Sequence, residues 1–428
     1  MNHPKGLAGF PGWVAHRLLA NYWLLAVCAV FVAVPFALGV LWLDQDGATA
    51  MLIALDLVPV ADPETARDFL GVAAGINAAF ITLYFSITLI VLSLAAGNLG
   101  IRLIDRWLKR RLSQVSIAGL SFSLIVTFIA MLAVKPTAPM DDVPLLLLLT
   151  VFVLQAMNVA MLAVSLHALG RTMFVDTSVH AISESACSRS IKLTGVPQTG
   201  FASPQVLTCA RGGYVESVDI AGLRRTFDHN AQVQVLVAPG QHLLKGDAIL
   251  QADCNFNEAA VARLIGIGSY RSDAQGTVFE IRLLVEIAAR ALSPAINDFY
   301  TALTCADKLA AVIDSQKDTW VAKGEDPAIS DATWLRVMGQ DFRSLFEDPL
   351  NALRQAACQY PSVAIRLIDN YGRLAASMRK NGAPVGLIEF LSRLAIQLRD
   401  HAISVAEFEY DQTCIANTYL RNFNHHEG

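Results

Sequence analysis

The sequence predicts an α-helical membrane protein: a four-transmembrane-helix domain, followed by a cytoplasmic α+β region made of a small β barrel-sandwich-like module and a helical bundle. Three observations predict it. Hydrophobic residues make up 54% of the 428 residues and charged residues only 16%, where a soluble domain carries about 25% charged. Charge is sparse up to residue 170 and returns to ordinary density from Arg171. Four apolar runs ahead of that boundary are each long enough to cross about 30 Å of hydrocarbon, which takes about 20 helical residues.

The runs are Tyr22 to Leu43, Gly71 to Ala96, Val115 to Val134 and Val143 to Leu166. The first is too long for a cleaved signal peptide, and no small-residue cleavage site precedes Asp44 and Asp46, so it reads as a retained span. Lys and Arg mark the cytoplasmic side of short loops. The loop after span two carries Arg102, Arg106, Lys109, Arg110 and Arg111, whereas the first loop carries Asp44, Asp46, Asp56, Asp62, Glu64 and Asp68 against Arg67 alone. This contrast places both termini in the cytoplasm. The piece Ala48 to Val60 is too short to span; it lies along the outer interface or packs over helix ends.

Span two differs chemically from the others. Gly71 and Gly75 form a GxxxG stripe that admits a neighbouring backbone. Thr82, Ser86 and Ser93 fall near one helical face, and Asn77, Tyr84 and Thr88 near another. Asn77, Thr82, Ser86 and Ser93 are the pore-lining candidates, because hydroxyls and amides offer donors and acceptors to a partly dehydrated ion. The same groups also serve plain helix packing. No Asp, Glu, Lys, Arg or His lies in the middle of a span, which argues against a proton pump. In an oligomer the cluster from Arg102 to Arg111 forms a basic ring at the inner mouth; alternatively it sets topology and touches anionic headgroups.

After a connecting segment at 171–202, residues 203–254 read as the β module. The β-rich runs are Gln205 to Cys209, Tyr214 to Val218 and Gln232 to Val237, with turns at Gly212-Gly213, Pro239-Gly240 and Gly246-Asp247. The module is similar to the barrel-sandwich hybrid of biotinyl and lipoyl carriers. Lys245 sits inside the second turn rather than at a hairpin tip, so no attached cofactor is expected. Residues 255–420 read as helical, with helices at Asn257 to Ile267, Val278 to Leu292 and Phe299 to Asp314, and 421–428 as a tail. Arg282, Glu286 and Arg290 recur every four residues and form a solvated ion-pair ladder on this reading.

Between the second and third of these helices stands LSPAIND, with Leu292, Ser293, Pro294, Ala295, Ile296, Asn297, Asp298, Thr301 and Ala302. This stretch, with Phe85 to Ala95 of span two and the general layout, resembles the DUF2254 family of predicted bacterial membrane proteins. Phe299 and Tyr300 stand where the family has Pro-Phe. The resemblance implies the architecture and carries no activity with it. Physically, the corner ends one helix and caps the next. The alternative is a site in which Ser293, Asn297 and Asp298, with Arg271, bind a small polar ligand or a neighbouring subunit.

Seven isolated cysteines without a CxxC pair suit reduced thiols. A net charge of -4 and the absence of a basic face argue against nucleic acid. The sequence holds no HExxH, GxSxG, P-loop or GxGxxG motif, so neither an enzyme nor a metal site is expected. The functional expectation is a homo-oligomeric channel or channel-like permeation protein in the lipid bilayer, passing a small ion, with a cytoplasmic vestibule or gate. The alternative is a membrane-anchored ligand sensor or scaffold without transport activity.

Overall fold

The computed structural model describes residues 23–56, 60, 62–100, 102, 111–137, 139, 142–171, 174–195, 204–332 and 334–423. The chain is mostly helical and divides into two compact units. Among the described residues, the first comprises those within 23–97 and 111–174; the second comprises those within 175–423, with which 98–100 and 102 are grouped.

Among the described residues, four helices of the first unit are long and apolar enough to cross a membrane. They are α1 (Leu24–Leu43), which continues as α2 (Thr49–Ala54), α3 (Pro63–Leu99), α4 (Arg111–Ala133) and α5 (Leu145–Arg171). All four coincide with the runs read from the sequence. The first is longer than read, because the chain turns through Asp44–Ala48 with Gly47 at φ 110° and resumes as a helix. The stretch read as a separate interfacial piece therefore begins as an extension of span one.

The turn carries Asp44 inward. Its carboxylate accepts from the backbone N–H of Leu146 (2.8 Å) and Leu147 (3.0 Å) and from the Thr49 hydroxyl (2.8 Å). An acid from one span thus caps the first turn of another, where free amides and the positive helix end both favour it. Small residues let the spans approach: Ala33 and Ala37 of α1, Ala66 and Ala73 of α3 and Ala130 of α4 share a core with Leu147, Leu148 and Val151 of α5. α4 is the most enclosed span, and it buries Gln114, Ser116, Ser123 and Thr127 as well as its aliphatic face.

The second unit begins with α6 (Val175–Cys187) and contains two sheets. The strands are β1 (Thr194–Gly195), β2 (Gln205–Thr208), β3 (Gly213–Val218), β4 (Val233–Val235), β5 (His242–Leu243), β6 (Ala248–Ala252), β7 (Ile265–Gly268), β8 (Pro327–Ala332) and β9 (Leu335–Met338). Six of them form one sheet in the order β1-β8-β9-β4-β6-β2, and three form another in the order β5-β3-β7. Neither sheet closes into a barrel. The six-stranded sheet is completed from outside 203–254, since β9 pairs parallel to β4 with Val233 opposite Leu335 and Val235 opposite Val337. A self-contained barrel-sandwich module is thereby corrected to an open mixed sheet. Its core joins Leu207, Val233, Val235 and Leu250 to Trp334, Leu335 and Val337.

Helices α7 (Ile220–Thr226) and α8 (Glu258–Ala262) are short. The helix read over Asn257 to Ile267 ends early, because Ile265, Gly266, Ile267 and Gly268 alternate against β3 as strand β7. The longer helices are α9 (Thr277–Ala291), α10 (Phe299–Ser315), α11 (Phe342–Ala357), α12 (Pro361–Lys380), α13 (Val385–Val405) and α14 (Glu409–Phe423). α9 is buried along most of its length. Phe342 of α11 ties this region together, with ring centroids 4.6 Å from Phe346 and 5.9 Å from Phe390.

Candidate functional site

The face separation read in span two is present in α3. At 3.6 residues per turn, Asn77 and Thr82 stand about 140° apart around the helix. Asn77, Tyr84 and Thr88 are buried, whereas Thr82, Ser86 and Ser93 are exposed on the surface of the subunit.

Asn77 is the centre of an internal polar cluster. Its Nδ2 donates to the Ser123 hydroxyl (3.2 Å) and the Thr127 hydroxyl (3.4 Å) of α4, and its Oδ1 accepts from Asn158 Nδ2 (2.9 Å) of α5. Gln155 adds a second link, donating to the Ala73 carbonyl at 3.2 Å. These bonds join three spans at depths where no water competes. Asn77 therefore leaves the pore-lining set, because its amide is spent on partners within the subunit.

The outward face has a different composition. Gly71, Gly75, Thr82, Ser86 and Ser93 fall within about 40° of one line along the helix, and a Cβ added at Gly71 or Gly75 meets nothing within 4 Å. The stripe from Gly71 to Ser93 rises about 33 Å, close to the thickness of the hydrocarbon layer. Leu89 interrupts it between Ser86 and Ser93 and is 66% exposed. The Thr82 hydroxyl bonds back to the Ala78 carbonyl of its own helix at 2.9 Å.

Of the basic cluster, Arg102 is grouped with the second unit and pairs with Glu286 of α9 at 2.6 Å. Arg111 is exposed at the start of α4. Arg106, Lys109 and Arg110 lie outside the described residues.

The LSPAIND corner is a tightly bonded turn. The Ser293 carbonyl accepts from Ile296 N–H (3.0 Å) and Asn297 N–H (2.9 Å), and Asn297 adopts φ 49°. Asp298 caps α10, accepting from Thr301 N–H (3.1 Å) and from the Thr301 hydroxyl (2.5 Å). Both carboxylate oxygens are thus engaged by the helix they start. Tyr360 donates its hydroxyl to the Leu292 carbonyl at 2.8 Å, a buttress that no local pattern announces. Arg271 is engaged elsewhere, with its guanidinium 5.1 Å from the centre of the Tyr214 ring. Beneath the corner, burial pushes the Cys305 thiol well above its ordinary range, and the charges of Asp176 and Asp298 add to the effect.

Residues 20–372 match the family described as predicted membrane protein (DUF2254). The chain belongs to this family. Together with four membrane-length apolar helices, that makes it a membrane protein. Its relatives include the uncharacterized protein Rv1290c of Mycobacterium tuberculosis (strain H37Rv) and the uncharacterized protein Mb1321c of Mycobacterium bovis, each 25% identical over 277 residues. The matched stretch covers 58% of this chain and 52% of each relative, so the chain spans about half the length of the curated relatives it matches. No solved structure matches this chain.

Proposed function

We propose that the protein is a homo-oligomeric, channel-like permeation protein of the inner membrane, in which the outward face of α3 meets other subunits around a path for small ions. The observation that carries this reading is the exposure of Thr82, Ser86 and Ser93 on the same line as Gly71 and Gly75. In hydrocarbon a hydroxyl has only its own helix to bond to, as Thr82 does to the Ala78 carbonyl, whereas a second subunit or a column of water offers further partners. The first unit turns Asn77, Ser123, Thr127 and Asn158 inward onto one another, which makes the outward hydroxyls the exception. Glycines at one end of the stripe suit close contact between subunits, and Leu89 supplies an apolar constriction of the kind that gates by excluding water. Both termini are then cytoplasmic, and the second unit forms the vestibule.

The test is Ser86→Asp in proteoliposomes under a KCl gradient. A ring of carboxylates beside the path shifts the reversal potential toward cation selectivity, because a low dielectric magnifies its effect on passing ions. A folded, oligomeric protein with no flux in either form refutes the path and puts the membrane-anchored sensor ahead.

A further inference from the structure

The ladder of Arg282, Glu286 and Arg290 on α9 departs from a solvated ion-pair row. Arg282 is half-buried, and the other two meet the segment that follows span two. Glu286 pairs with Arg102 at 2.6 Å, and a Cβ added at Gly100 would stand 3.2 Å from the Glu286 carboxylate and 3.8 Å from Arg290 Nε. Gly100 is three residues beyond Gly97, where the span ends, and three residues reach about 11 Å at most. The last turn of α9 is therefore tethered close to the membrane face.

A second exit from the membrane leads to the same place. α5 ends at Arg171 and α6 begins at Val175, a reach of about 14 Å at most. The Ser183 hydroxyl of α6 donates to the Lys308 carbonyl of α10 (3.3 Å), and Gln316, just past α10, donates to the Ala186 carbonyl (3.0 Å), so the two helices run in the same direction. Ser183 stands about 12 Å along α6 and Lys308 about 14 Å along α10. The starts of the two helices are then level. Gly97 and Arg171 lie on one side of the membrane, because α4 and α5 cross out and back between them.

Between these two tethers sits the LSPAIND corner. The Asp298 N–H donates to the Ala291 carbonyl at 2.8 Å, which folds the first residues of α10 against the end of α9. There Phe299 and Tyr300 are both exposed, Tyr300 by 71%, with ring centroids 4.3 Å apart, next to exposed Pro294 and Ala295. In water such a pair leaves apolar surface uncovered, whereas at headgroup level the rings are buried and the tyrosine hydroxyl stays wet. We propose that this corner docks on the lipid headgroup layer, with Phe299 and Tyr300 as its interfacial anchors. The contact is independent of the proposed pore and of which way the protein faces across the membrane.

The experiment uses the full chain, with Cys28, Cys187, Cys254 and Cys414 replaced by serine, in proteoliposomes of phosphatidylcholine and phosphatidylglycerol. A bimane is attached at Ala295→Cys, which leaves both rings in place, or at Tyr300→Cys, and is quenched by phosphatidylcholine carrying a nitroxide on its headgroup. Val385→Cys is the reference: Val385 is exposed, and a Cβ added at the adjoining Gly386 meets the Trp320 ring at 2.9 Å, beyond the far end of α10. Quenching at 295 and 300 about threefold or more above that at 385 is expected, since the length of α10, about 25 Å, separates them. Adding Phe299→Ser and Tyr300→Ser to the Ala295→Cys chain should lower it, and if that double replacement fails to fold, Tyr300→Ser alone gives the same reading. Equal quenching at 295, 300 and 385 overturns the proposal, and so does quenching at 295 that loss of the rings leaves unchanged. A bimane at 300 shielded equally in detergent and in liposomes, without quenching by lipid, also overturns it and shows a second subunit covering the corner.

Discussion

Replacing Asn77 with alanine tests whether the inner face of α3 holds the first unit together. The substitution removes three interhelical hydrogen bonds, of 2.9, 3.2 and 3.4 Å. Such bonds between membrane helices contribute about 0.6 kcal/mol each on average and up to about 1.7 kcal/mol. The longest of the three is at the weak end, so together they contribute about 2 kcal/mol. Truncation at a fully buried position adds a cavity cost of about 1 kcal/mol. Thr127 retains its bond to the Ser123 carbonyl (2.7 Å), which limits the loss on that side. The expected destabilisation is about 2 to 3 kcal/mol, measured by titrating detergent-solubilised protein with dodecyl sulfate and following helicity. Ser86→Ala, on the outer face, should leave the same transition within about 0.5 kcal/mol of wild type. Equal transitions for the two variants would refute the assignment of inner and outer faces.

Two further outcomes follow from the same geometry. Gly75→Leu should lower the oligomeric fraction in cross-linking and size-exclusion measurements without moving the unfolding transition, since nothing in its own subunit lies within 4 Å of the added Cβ; Val91→Leu, at a buried position, should do the reverse by overpacking the core, and equal oligomer yields would remove the close-packing argument. Cys305, fully buried and with its thiol shifted upward chiefly by desolvation, should resist maleimide at neutral pH in the folded protein and react on unfolding; modification as fast as that of a small free thiol would contradict its placement.

Much of the first unit was legible because membrane spans are specified by length and composition, which a single sequence displays. The two faces of α3 were legible for a similar reason, since a fixed angle per residue separates Thr82, Ser86 and Ser93 from Asn77, Tyr84 and Thr88. Which face turns inward was not, because that depends on Ser123, Thr127 and Asn158 arriving from other spans. Asp44 shows the same limit: its charge reads as a topology signal, while its partners Leu146 and Leu147 lie about 100 residues away. The sheet escaped a local reading because β8 and β9 join it from beyond residue 320. In the candidate sites, the capping role of Asp298 was readable from its place before a helix, whereas the buttress from Tyr360 and the pairing of Glu286 with Arg102 are long-range contacts. Arg282 was misread as solvated because a four-residue period fixes a helical face and leaves open what covers it.

The central claim is that the outward hydroxyl face of α3 borders water in the assembled protein, and substituted-cysteine accessibility tests it most directly. Single cysteines at Thr82, Ser86 and Ser93, and at Met157 in the middle of α5, which is 61% exposed on the subunit surface, are introduced into a chain whose exposed or partly exposed Cys28, Cys187, Cys254 and Cys414 have been replaced by serine. A charged, water-soluble thiol reagent is then applied to the protein in sealed proteoliposomes. The account predicts labelling at 82, 86 and 93, loss of ion flux on labelling at 86, and protection at 157, where hydrocarbon excludes the reagent. Labelling at 86 as slow as at 157 would contradict it.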